Sequence, residues 1–333
     1  MIPSIKYLKE NLGKMLETLE KQGIFIEEAE QKLKDLPDSY DEIIAFAKTF
    51  RDLPVVSDWP YVEPLEYDEI ELEMSSDRFD SITKTPDISV LKDKTKAGFI
   101  SSVMGCILGK PLEIDPTYDE LKNAGQACGQ WPVEDYISEE FLECLGKRKR
   151  FWPTTTKGNI SFAEADDDIN YSVLGMLILE KYGLDLDYNG IKDSWIEHIC
   201  MTYVYGPERH LTAWAAINRL EGENSKELFG TDSFCKDWAR IFNPGTEICG
   251  ALIRADAYGF AFAGRPDLAA KYAYVDASYT HQRTGVYSTM YVAALIALMY
   301  TAIDPVTPFK NALKFVPQNS RFKEITADCI DPE

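Results

Sequence analysis

Basic residues are scarce in this sequence. Thirty-five Lys and Arg stand against 55 Asp and Glu, a formal net charge of -20. A surface of that sign repels phosphate backbones, which argues against a nucleic-acid partner. Only "GKRKRFW", residues 146–152, departs from this; its plain reading is a solvated loop, and its sharper reading is a phosphate contact. The seven cysteines (Cys106, Cys128, Cys144, Cys200, Cys235, Cys249 and Cys329) show no C-x-x-C pair, so neither a zinc nor a dithiol redox site is indicated, and reduced structural thiols are expected. No leader pattern is visible either. Met1 runs into the amphipathic "IPSIKYLKENLGKMLETLEKQG", and a cytoplasmic location is expected. Long apolar runs are limited to Gly285–Ile303, which lacks basic flanks and is interrupted by Ser288, Thr289 and Thr301. We read it as a central helix buried on all sides, with no role in a membrane.

What is present describes a globular chain. A 45% hydrophobic content over 333 residues is enough to bury a sizeable core in one large domain or two ordinary ones. The acidity is uneven. Residues 1–90 hold 10 basic and 21 acidic residues, which sets them apart as an acidic extension and linker, with 91–333 as the main domain. Helical patterns cover Ser4–Gln22, Glu27–Leu36 and Tyr40–Phe50, stopped by Gly23 and Pro37. Asp58–Asp80 carries nine acidic residues and two prolines, and reads as an extended connector draped over a surface or as a loose linker. From Leu91 onward the pattern is repeatedly helical with no sustained alternation, so the fold class is all-α.

Three stretches can carry chemistry. In "KAGFISSVMGCILGKPLE", residues 96–113, Ala97, Ile100, Val103, Met104, Ile107 and Leu108 make one apolar helical face, and Gly98 and Gly105 share a stripe. A glycine costs about 1 kcal/mol in a helix interior, so close approach of a helix or ligand is expected there. Gly109 ends the helix, and Glu113 follows Pro111 in the turn, where a solvated carboxylate is its plain reading. In "AEADDDINYSVLGMLILEKYG", residues 163–183, Asp166, Asp167 and Asp168 open an apolar helix. One aspartate suffices as a cap; three like charges either remain solvated or hold a hard cation. In the stretch 243–294, Arg254 sits among small apolar residues and needs an anionic or carbonyl partner, an ion pair being the plain reading. Thr280-His281 lies between two helical patterns just before Gly285, where a histidine can simply cap a helix.

In order, "GCILGKPLE", the aspartate cluster and "GALIRADAYGFAFAG" followed by "DASYTHQRTGVY" resemble the ADP-ribosylglycohydrolase family, over residues 91 to about 310. "YGPERH", residues 205–210, is similar to that family's central region. The resemblance implies an orthogonal multi-helix bundle with a dinuclear Mg²⁺ site, sometimes Mn²⁺, in an ADP-ribose cleft. It implies hydrolysis of the glycosidic bond between ADP-ribose and a protein side chain or small acceptor. The family's Thr/Ser-Asp-Asp metal motif falls on Asp166, Asp167 and Asp168, with aspartate where the hydroxyl usually stands. Its catalytic glutamate falls on Glu113, which with Asp167 would activate water, while Gly105, Gly109, Thr280 and His281 would line the ligand cleft.

The resemblance also implies a later Gly-x-Asp-x-Asp motif that completes the metal pair. The tail "PQNSRFKEITADCIDPE" holds only Asp328 and Asp331 in another context, so a truncated product or a natural variant lacking half the site is expected. Two rival functions follow. One is a non-catalytic ADP-ribose-binding relative; the other is a helical scaffold whose acidic N-terminal region docks a basic partner.

Overall fold

The computed structural model describes residues 4–79, 87–113, 116–146, 152–221 and 240–331. The basic run at 147–151 and Cys235 lie outside the described residues. Among those described, the chain is helical with no strand; one isolated bridge joins Ile24 and Val55. Packing divides it into two compact units, residues 87–171 and the combination of 1–86 with 172–333.

In the larger unit, α1 (Ile5–Lys21) begins where the Ser4 hydroxyl accepts from the Tyr7 amide. It ends at Gly23, whose positive φ of 75° and contact with the Trp59 ring leave no room for a side chain. Next come α2 (Glu27–Lys34), α3 (Tyr40–Lys48) and α4 (Tyr67–Glu73). The acidic segment 58–79 is not extended throughout, since it contains α4, and it packs on the rest of the unit. Val62 N–H donates to Asn319, the Tyr287 and Tyr274 hydroxyls donate to the Pro64 and Leu65 carbonyls, and Ile70 and Met74 enter the main core. The charge boundary at residue 90 is therefore no packing boundary. Residues 1–86 group with 172–333 because their apolar residues and backbone polar groups find partners there.

The rest of this unit comprises the body of α9 (Asp167–Tyr182, its first turn in the smaller unit), then α10 (Tyr188–His198), α11 (Gly206–Glu221), α12 (Asp256–Ala261), α13 (Pro266–Ala277), α14 (Thr284–Met299), α15 (Thr307–Ala312) and α16 (Arg321–Ile330). α14 is the apolar run, and it is the core helix. Its Val286, Tyr287, Met290, Ala293, Ala294 and Ala297 are buried, and it packs on α12, α13, α15 and α16. The polar interruptions are satisfied within the helix, with Ser288 and Thr289 both donating to the Gly285 carbonyl. No helix of the described residues is long and apolar enough to cross a membrane.

The smaller unit holds α5 (Ile88–Gly109), a 3-10 turn at Lys110–Leu112, α6 (Tyr118–Ala127), α7 (Glu139–Leu145), α8 (Trp152–Thr155) and the first residues of α9. The expected apolar face of α5 stays open. Ile100, Met104 and Leu108 are exposed, Ile107 is buried, and a methyl at Gly105 or Gly109 would meet nothing within 4 Å. The close helical approach expected at Gly105 is thus absent among the described residues.

Two glycines therefore predict opposite effects. Gly259→Ala would set a methyl 2.5 Å from Ile296 Cβ and should destabilise by about 1–3 kcal/mol. Gly105→Ala should stabilise by about 0.5–1 kcal/mol through helix propensity alone. Urea unfolding of the two variants checks both signs.

Candidate functional site

The aspartate cluster is built by the start of α9 and the end of α5. Asp166 is the cap residue, its carbonyl accepting from the Asn170 amide and its carboxylate from the Asp168 amide. Its carboxylate also receives the Lys110 ammonium, Nζ to Oδ2 at 2.5 Å, and Lys110 donates to the Ala165 carbonyl at 3.0 Å. Cys106 stands one helical turn before Lys110. Donor atoms of Cys106, Asp166 and Asp168 all lie within 4.8 Å of one another.

The electrostatics of this cluster are uneven. Burial opposes ionisation of Asp166, yet hydrogen bonds from Asp167 and Lys110 hold its carboxyl below the usual range. Asp167 goes the other way. Burial, the hydrogen bond to Asp166 and the charges of Asp166 and Asp168 push it to about 8. Burial, then Asp166 and Asp168, push the Cys106 thiol to about 12, so it is neutral with its hydrogen turned to Asp168. One cap would not crowd carboxylates this way. The donor set, hard oxygens that share too much negative charge to ionise together, fits a divalent cation, with the thiol as its softer member.

Glu113 is exposed at the end of the Lys110–Leu112 turn, and among the described residues no hydrogen bond or ion pair ties it to the aspartates. Gly105 and Gly109 are exposed on α5 with open space beside them. Thr280 and His281 belong to the larger unit and are buried there, at 0% and 1% exposure, so neither faces a cleft within that unit.

What holds them is Arg254. Its Nε donates to Asp276 Oδ2 at 3.1 Å, Nη1 to Glu208 Oε1 at 2.8 Å and the Gly250 carbonyl at 3.2 Å, and Nη2 to the Asp276 carbonyl at 3.2 Å and Thr280 Oγ1 at 2.8 Å. The guanidinium also lies 5.0 Å over the Trp195 ring. Thr280 Oγ1 accepts from Arg254, donates to Glu208 Oε1 at 3.5 Å and stands 2.7 Å from His281 Nδ1. Burial, then the Arg254 charge, holds His281 well below its ordinary value, hence neutral. Burial pushes the Glu208 and Asp276 carboxyls up, while Arg254 pulls against that shift. Gly250 is required here, because a methyl would stand 2.4 Å from Glu208 Oε1.

Sequence reasoning missed Lys110, Cys106 and Glu208 as site-building residues. The four-residue spacing of Cys106 and Lys110 was a usable signal, and so was the need of Arg254 for an acid. Two open cavities, of about 360 Å³ around Gln130–Ile137 and about 280 Å³ around His210 and Phe242–Gly245, have none of the three aspartates in their linings. In comparisons with known proteins, residues 87–331 match the family model described as ADP-ribosylglycohydrolase. No curated protein and no solved structure matches.

Removing the guanidinium in Arg254→Met should destabilise the fold by about 3–5 kcal/mol, since two buried carboxylates lose their partner. Arg254→Lys should rescue little of it, because one ammonium cannot reach five acceptors. A depressed histidine stabilises fully above its unfolded value near 6.5 and loses that stability as pH falls below it. Urea unfolding from pH 8 to 5 should therefore show wild type losing up to about 1.4 kcal/mol per pH unit relative to His281→Gln. Parallel pH curves for the two proteins would contradict a neutral His281.

Proposed function

The chain belongs to the ADP-ribosylglycohydrolase family, and from that premise we propose that it hydrolyses the glycosidic bond joining ADP-ribose to a protein side chain or small acceptor. The observation that carries this reading is the crowding of Cys106, Asp166 and Asp168, with Asp167 hydrogen-bonded to Asp166, inside the matched segment. Asp166, Asp167 and Asp168 would hold Mg²⁺ or Mn²⁺, and the thiol of Cys106 is the donor that favours the softer of the two. The ion's contribution would be to orient the ribose hydroxyls and offset charge at the anomeric carbon.

The chain's own residues supply the remainder. The amide groups of the first turn of α9 point toward the cluster and favour negative charge, including a diphosphate, without any basic surface. Asp167, held protonated to about 8 by burial and its neighbours, can exchange a proton with a water near neutral pH once a cation offsets those charges. Glu113 is the second carboxylate assigned to activate water, and Gly105 and Gly109 leave the adjoining face of α5 open to a ligand. Thr280 and His281 hold Arg254 and the corner before α14. An acidic exterior is compatible with such a ligand, and it disfavours a nucleic-acid partner.

Titration calorimetry with ADP-ribose tests the reading. Binding to wild type should require Mg²⁺ or Mn²⁺ and should fall by about 10–100-fold in Asp168→Asn. Release of ADP-ribose from an ADP-ribosylated protein should follow the same dependence. Metal-independent binding, or none, would overturn the assignment of the aspartates.

A further inference from the structure

A cation already stands in the aspartate site. The Lys110 side chain is 3% exposed and Asp166 is 12% exposed, with the ammonium seated on Oδ2 at 2.5 Å. Lysine is rarely buried to this degree unless an anion fixes it. Here the anion is the residue that the metal reading assigns to the cation. Cys106 and Lys110 leave the same side of α5 and its 3-10 extension, four residues apart, so both side chains converge on the start of α9. A divalent ion liganded by Asp166 would lie within a few ångströms of that ammonium, where like charges repel strongly in a partly buried setting. The lysine stem is long and flexible, and the backbone beside it at Gly109 faces open space.

We propose that Lys110 is the resident counter-cation of the Asp166–Asp168 site and that a divalent cation binds there by exchange with it, so that Lys110 sets the affinity of the site for metal. The inference rests on the aspartates being a metal site. Exchange moves the ammonium from the cluster to solvent. Without metal, the lysine balances part of the carboxylate charge that would otherwise be buried unpaired.

Calorimetric titration of Mn²⁺ into the full chain tests this, with wild type, Lys110→Met, Lys110→Arg and Asp168→Asn. Lys110→Met keeps the unbranched stem and removes the charge, and should bind Mn²⁺ about tenfold tighter or more. Lys110→Arg keeps the charge and should remain within about threefold of wild type. In wild type, Mn²⁺ should raise the labelling of Lys110 by an amine-directed reagent, read by mass spectrometry of its peptide. Unchanged or weaker Mn²⁺ binding by Lys110→Met overturns the inference. If wild-type binding is lost in Asp168→Asn while Lys110→Met is unaltered, only the exchange fails; if Mn²⁺ binds neither wild type nor Lys110→Met, the metal reading fails with it. Should Lys110→Met not fold, labelling of wild type decides, and equal labelling with and without Mn²⁺ overturns the exchange.

Discussion

The guanidinium of Arg254 is the constraint on which the larger unit depends. Its five N–H groups meet acceptors from α11, the Gly250 turn, α13 and the Thr280 corner. A buried charge tolerates few arrangements, since each donor left unmet is costly in a low-dielectric interior. That requirement sets the corner after α13, and the corner sets the entry to α14. Arg283 there has φ of 44°, an unfavourable conformation for a side chain of its size, held by bonds from its guanidinium to Gln22. The central helix is thus aimed by polar contacts and then fixed by apolar packing.

The two charged clusters solve the same problem differently. Around Arg254 every guanidinium donor is met and the group is sealed from solvent, although two carboxylates share its one charge. Around Asp166 the acids outnumber the one lysine, one carboxyl keeps its proton, and α5 leaves a side open. The difference is one of access, and an open side is what the proposed metal site needs.

Much of this was legible in the sequence, for local reasons. Helix limits in the first fifty residues follow from Ser4, Gly23 and Pro37, and the aspartates announce themselves because three exceed what a cap requires. The buried nature of α14 follows from its unflanked apolar run. Long-range pairing was not legible. Lys110 meets Ala165 across 55 positions, Arg254 meets Glu208 across 46, and nothing local in either segment names its partner. The same limit explains the N-terminal region. Its charge set it apart, whereas Ile70, Met74 and Glu63 bind it to a core whose other members lie far downstream.

That last feature bears on how the molecule is made. Glu63 is almost fully buried against Arg321, 258 residues later, and Glu247 shares the same guanidinium. On a ribosome adding about 5–20 residues per second, Glu63 would wait on the order of 10–50 s for that partner to emerge. The continuous unit at 87–171 has no such delay. The contacts of 87–171 thus close within 85 residues of chain, whereas those of Glu63 span most of it.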